Sequence, residues 1–173
     1  MRELSVNVIT ENIKEMCIEA NHYLAPDMKA VFEKSHASEE SVLGKQILSQ
    51  LMENMDIAEK DMIPICQDTG MAVVFIEIGQ EVHFVDGLLE DAIHEGVRRG
   101  YIEGYLRKSV VGDPLIRENT KDNTPAIIHI DIVPGDKLKI DVCPKGFGSE
   151  NMSQLSMKTP AASVDDIVEY VVS

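Results

Sequence analysis

The run Met62-Ile63-Pro64-Ile65-Cys66-Gln67-Asp68-Thr69-Gly70-Met71-Ala72-Val73-Val74-Phe75-Ile76-Glu77-Ile78 decides how this chain folds. Upstream of it, apolar residues recur at the three- and four-residue spacing of an amphipathic helix. From Met71 onward they are consecutive and β-branched. Pro64 separates the two regimes, because a proline lacks the N–H that a helix interior needs. Met71 to Ile78 therefore reads as a strand with at least one buried face. Helices first and strands later predict an α+β fold, with N-terminal helices packed beside a small mixed or antiparallel β-sheet. Between the two regimes stands Cys66-Gln67-Asp68-Thr69-Gly70, which sets a thiol, an amide, a carboxylate and a hydroxyl at the edge of a strand.

Working outward toward the N-terminus, Thr10 caps a helix whose stripe is Ile13, Met16, Cys17, Ala20 and Leu24. Cys17 lies on that stripe and reads as a small apolar core residue. Pro26 suits the first position of a second helix carrying Val31 and Phe32. Ser38 caps a longer third helix through Val42, Ile47, Leu51 and Met55. Toward the C-terminus, Gly79-Gln80-Glu81 marks a turn after which Val82 to Val85 pairs back as a short strand. A helix follows from Asp86 to about Gly100, with Leu89, Ile93 and Val97 on one face. Residues 101–124 form a long polar loop, of the kind that tends to carry function. Ala126 to Val133 and Lys137 to Val142, joined by Pro134-Gly135-Asp136, read as a hairpin that ends in Cys143. Ser163 opens an amphipathic run of Val164, Ile167, Val168 and Val171 that stops at Ser173 without a capping signal, as a chain cut inside a helix would. The pattern divides into a helical region, 1–63, and an α+β region, 64–173, within one compact domain.

Composition narrows the function. The net charge of −14 argues against a nucleic-acid partner. No apolar run has the length of a membrane span, and no apolar segment follows Arg2 as in a signal peptide, so a soluble cytoplasmic protein is expected. The widely spaced Cys17, Cys66 and Cys143 do not make a disulfide framework and read as free, metal-bound or catalytic. Residues 64–97 contain neither Lys nor Arg, whereas Arg98, Arg99, Arg107, Lys108, Arg117, Lys121 and Lys145 follow closely. That concentration is either an anion site or a solvated basic face.

Two stretches carry chemistry. A thiolate at Cys66 would suit iron or zinc, with Asp68 close enough to act as an acid or base beside the metal; the same residues also suit an ordinary turn. In Cys143-Pro144-Lys145-Gly146-Phe147-Gly148-Ser149-Glu150-Asn151, two glycines permit close backbone approach to a ligand, and Ser149, Glu150 and Asn151 offer hydrogen bonds. Zinc-finger spacing is absent, and two thiolates fall short of the four ligands of a structural zinc site. His83, His94 and His129 read as packed or surface side chains.

Cys17-Ile18-Glu19-Ala20-Asn21, Pro64 to Gly70, Leu106-Arg107-Lys108-Ser109-Val110-Val111, Asn119-Thr120-Lys121-Asp122-Asn123-Thr124-Pro125-Ala126 and Cys143 to Asn151 stand here in order. This set resembles the α subunit of the two-subunit, oxygen-sensitive class I fumarases, a family that also includes L-tartrate dehydratase. The resemblance implies a hydro-lyase that reversibly hydrates fumarate to L-malate through a 4Fe-4S cluster with an open iron. It implies Cys66 and Cys143 as two of three cysteine ligands, the third lying in a later Cys-Pro segment absent from this chain. It implies Asp68 as the catalytic acid and as a substrate contact, with Gln67 beside it. Arg107 would grip a substrate carboxylate. Residues 119–124 would meet substrate through backbone N–H groups, with Lys121 where some relatives have glycine. The implied partners are a β subunit supplying the base, a dicarboxylate substrate, and further copies in a homodimer or heterotetramer. Two alternatives stand beside this: an L-tartrate dehydratase α subunit, and a truncated assembly module that binds no cluster and has no catalysis of its own.

Overall fold

The computed structural model describes residues 1–173, apart from the side chains of Ser149 and Glu150. The hydrogen-bonding role expected of Ser149 and Glu150 lies outside the described residues.

Strand β1 (Arg2–Ser5) leads directly into helix α1 (Val6–His22), followed by α2 (Pro26–Ser38) and α3 (Val42–Asp61). Next come β2 (Met71–Gly79), β3 (Val82–Val85), α4 (Leu89–Glu103), β4 (Ile127–Val133), β5 (Leu138–Lys145), a short 3-10 segment (Gly148–Met152) and α5 (Val164–Val172). The architecture is α+β, as the periodicities require.

The core lies between two helices and one face of a sheet. Ile9, Ile13 and Cys17 of α1 meet Ile93, Val97 and Tyr101 of α4 over Ala72, Val74 and Ile76 of β2. The alternation in β2 is that of a half-covered strand: Val74 is fully buried, whereas Phe75 is 45% exposed on the far face, where it stacks on His129. Helices α1 and α4 pack closely because α4 carries a row of glycines. A Cβ at Gly100 would stand 2.8 Å from Cys17 Cβ and 3.0 Å from the Lys14 carbonyl oxygen.

Several local expectations are corrected. Helix α1 starts earlier than Thr10, at a Ser5 cap; Thr10 is buried inside it and its hydroxyl donates to the Ala92 carbonyl of α4 at 3.0 Å. Ser38 ends α2, donating back to Lys34, while Ser41 caps α3 by accepting from the Gly44 N–H. Strand β3 pairs with β1, in parallel, and not with β2. β1 is too short for a periodic signal, and it takes the edge that β3 offers.

The larger correction concerns β4 and β5, which form no hairpin. The sheet order is β4-β2-β5, with β4 parallel and β5 antiparallel to β2. The connection 134–136 passes across the end of β2 and binds it: Gly79 N–H donates to the Lys137 carbonyl, Gln80 N–H to Val133 and Glu81 N–H to Gly135. Stepping over one strand requires about two interstrand spacings, roughly 9–10 Å, which this wider turn spans. β2, in which seven of nine residues are apolar, occupies the centre. The antiparallel register sets Lys145 opposite Met71 and Cys143 opposite Val73. Cys143 therefore reaches the sheet end from which the Cys66–Gly70 loop departs.

Candidate active site

The loop before β2 is held from several sides. Ile65 N–H donates to the Asn21 carbonyl at 2.8 Å, and the Asn54 side chain donates to the Ile65 carbonyl at 2.9 Å. Tyr101, buried in the core, donates its hydroxyl to the Thr69 carbonyl at 2.8 Å, and Thr69 in turn donates its own to the Arg107 carbonyl at 2.9 Å. Gly70 adopts φ +62°, and a Cβ there would stand 2.1 Å from the Lys145 carbonyl oxygen, so only glycine lets β5 close on this loop.

Asp68 is the focus of this arrangement. Its Oδ1 accepts from Gly70 N–H at 3.1 Å and from the Ser109 hydroxyl at 3.3 Å, and its Oδ2 accepts from Phe147 N–H at 3.3 Å. The Arg107 guanidinium lies 3.8 Å from Oδ1. Partial burial pushes the Asp68 carboxyl up, but the N–H groups of Gly70 and Phe147, the Arg107 charge and the Ser109 hydroxyl together hold it below the usual carboxylate range. Its resting form is the carboxylate. The Arg107 side chain is 59% exposed against 24% for Asp68, so the guanidinium stands at the mouth of the site with its fork open to solvent.

The other residues singled out by sequence fall as follows. Gln67 lies beside Cys66, its Oε1 3.8 Å from the thiol sulfur. Cys66 and Cys143 are free, exposed thiols at the same end of the sheet. Cys17 is free but buried in the core, where burial pushes its thiol up to about 12. Lys121 is exposed, in the left-handed region at φ 68°, with its N–H donated to Asn119 Oδ1 at 2.6 Å. The Thr120 and Thr124 N–H groups are likewise engaged within the chain, by the Val110 carbonyl and by Asp122 Oδ1. The basic concentration dissolves in part: Arg98 pairs with Glu95 and Asp122, and Arg99 with Glu11 and Glu103. Among the described residues, no group of three or more His, Cys, Asp or Glu side chains gathers as a metal-binding set. Among the described residues, no helix is long and apolar enough to cross a membrane.

Sequence reasoning gave no part in this site to the Ser109, Tyr101 or Asn123 side chains. Asn123 is fully buried, and its side chain ties the 107–110 strap to the loop before β2. Nothing in a run of polar loop residues marks which side chain turns inward.

Fold and site define an α+β protein that presents an ionised carboxylate, a guanidinium and two thiols at one end of a mixed sheet. Residues 10–173 match the family model described as Fumarate hydratase (Fumerase). The chain is 37% identical over 169 residues to the protein named "Putative L(+)-tartrate dehydratase subunit alpha" in Methanocaldococcus jannaschii, covering 94% of this chain and 59% of that protein. It is 38% identical over 128 residues to the anaerobic class I fumarate hydratase of Escherichia coli K12, covering 73% of this chain and 23% of that enzyme. It is 25% identical over 174 residues to the L(+)-tartrate dehydratase subunit alpha of Escherichia coli O157:H7, covering 98% of this chain and 57% of that subunit. The chain belongs to the fumarate hydratase family, and it spans less than two thirds of the length of each of these relatives.

Proposed function

We propose that this chain forms the acid-bearing and substrate-gripping part of a cytoplasmic hydro-lyase that reversibly hydrates fumarate to L-malate. A β subunit would complete it, in a heterotetramer or homodimer. The observation that carries the reading is the Asp68–Arg107 pair, fixed at the sheet end of a chain that belongs to the fumarate hydratase family.

Arg107 presents a planar, permanently charged fork that suits one carboxylate of a dicarboxylate. Gln67 offers its amide to the same ligand, and Lys121 adds positive charge from the neighbouring loop. Asp68, ionised at rest, accepts a proton from water at one of its carboxylate oxygens in the hydration direction. It returns that proton to the departing hydroxide in dehydration. The proton on carbon is handled by a base outside this chain.

Cys66 and Cys143 fit two ligand positions of a 4Fe-4S cluster, because both are exposed and reach the same sheet end. Cys17 does not fit, being buried with a thiol that resists ionisation. A third ligand would be needed beside these two. A bound cluster would supply Lewis-acid chemistry toward the substrate hydroxyl.

The test is anaerobic reconstitution of the complete α subunit and its β partner with iron and sulfide, followed by rates on fumarate, L-malate and L-tartrate. Turnover of fumarate and malate is expected; its absence would overturn the reading. The 37% identity, over 94% of this chain, to a protein named as a putative L(+)-tartrate dehydratase α subunit supports a second reading, in which tartrate is the preferred substrate. The ratio of kcat/KM on the two hydroxy acids decides between them.

A further inference from the structure

We propose that Asn123 is a positioning residue that sets the distance between Arg107 and Asp68 by clamping their two segments together. The inference rests on the functional reading above only for what the clamped pair binds. Asn123 Oδ1 accepts from Ser109 N–H at 2.7 Å and from Val110 N–H at 3.1 Å, and its Nδ2 donates to the Gly70 carbonyl at 3.0 Å. Both segments it grips lead to Asp68. Gly70 donates its N–H, and Ser109 its hydroxyl, to Asp68 Oδ1. The Ser109–Val110 end of the strap is thereby pinned, and Arg107, two residues before Ser109, is held at its other side by Thr69. Asn123 is 0% exposed, so its amide has no water to replace these partners. An unpaired buried amide or N–H is costly, which makes the arrangement all-or-none.

Asn123 also has φ 62°, a left-handed conformation that asparagine tolerates, and this offers a rival explanation for an asparagine here. Glycine separates the two explanations. It adopts the same backbone without strain but carries no amide. Asn123→Gly in the complete enzyme, assembled with its partner, is expected to raise KM for L-malate about tenfold or more, because the guanidinium and carboxylate no longer share one frame. A merely structural loss would lower Tm and the active fraction, hence apparent kcat, and leave KM where it was. Asn123→Asp keeps an acceptor for Ser109 and Val110 but sets a buried carboxylate oxygen against the Gly70 carbonyl, so it is expected to raise KM as the glycine variant does. An unchanged KM in Asn123→Gly would overturn the proposal, as would an Asn123→Asp variant with the original KM.

A measurement on the unmodified enzyme stands apart from folding of the variants. The Ser109 and Val110 amides are expected to exchange hydrogen with solvent far more slowly than exposed loop amides, and fast exchange at both would overturn the clamp. Failure of the functional reading looks different: the unmodified enzyme would turn over no dicarboxylate while those two amides remained protected. An active enzyme with an unaltered glycine variant would instead sink the Asn123 inference alone.

Discussion

At Asp68 one carboxylate orders its surroundings, and in the proposed reaction it would also move a proton; a single substitution separates the two roles. Asp68→Asn keeps the size of the side chain and an oxygen that accepts from Gly70 and Ser109, so the loop is expected to persist. It removes the basic oxygen, and general acid–base contributions of this kind amount to about 10²–10⁴ in rate. The expected result is a kcat on L-malate lowered by about 10²-fold or more with iron content unchanged, read by steady-state kinetics beside iron analysis. Turnover at the original rate would remove Asp68 from proton transfer. Arg107→Lys retains the charge but loses the two-pronged fork, and a rise in KM of about tenfold with a smaller change in kcat is expected. Asp68 and Arg107 were singled out in the sequence through the motifs that carry the family resemblance, Pro64 to Gly70 and Leu106 to Val111. Asn123 was not, since burial and a left-handed φ leave no mark on an Asn within a polar run.

Among the elements, the α4 residues Ile93 and Val97 are buried as their spacing predicts, whereas on α3 the expected Val42, Ile47 and Leu51 stay exposed and only Met55 is buried, and the strand partners differ from those expected. Spacing such as that of Ile13 and Cys17 reports which face of a helix can be covered, and a period of two reports which face of a strand can be covered. Neither reports the neighbour. The alternating strands β4 and β5 bury the same faces whether they pair with each other or flank β2, so a hairpin and the observed β4-β2-β5 order have the same sequence pattern. The glycine of a helix–helix contact is similarly silent: within a sequence, Gly100 looks like a helix end. The structure gives it a testable role. Alanine is a better helix former than glycine by about 1 kcal/mol. Its Cβ, however, would press on the Lys14 backbone carbonyl and Cys17 Cβ, neither of which is the free end of a flexible side chain. Overpacking of this kind costs about 1–3 kcal/mol, so Gly100→Ala is expected to destabilise despite its propensity. A urea midpoint that falls with an unchanged slope would bear this out, and a rise would show that α1 and α4 separate at little cost.

Over the whole molecule, the three cysteines illustrate how far sequence and fold each carry the reading. Helical spacing alone put Cys17 on the buried stripe, and the structure holds it there at 1% exposure. Cys66 and Cys143 are far apart in the chain, and what brings them to one end of the sheet is the antiparallel pairing of β5 with β2, together with the crossing turn that permits it. The topology thus makes two thiols accessible and withdraws the third. Cysteine reactivity belongs to the thiolate, and a thiol pushed up to about 12 inside a core supplies almost none at neutral pH. Under native conditions, iodoacetamide is therefore expected to label Cys66 and Cys143 and to leave Cys17 unmodified until denaturant is added, with mass spectrometry of peptides locating each adduct. In the complete reconstituted enzyme the same division is expected to extend to iron. Cys66→Ser and Cys143→Ser are each expected to lower the iron count, whereas Cys17→Ala leaves it unchanged and lowers Tm through lost packing in the α1–α4 core. Loss of iron in Cys17→Ala with Tm unaltered would reverse the assignment, because a buried thiol would then have to leave the core to hold metal.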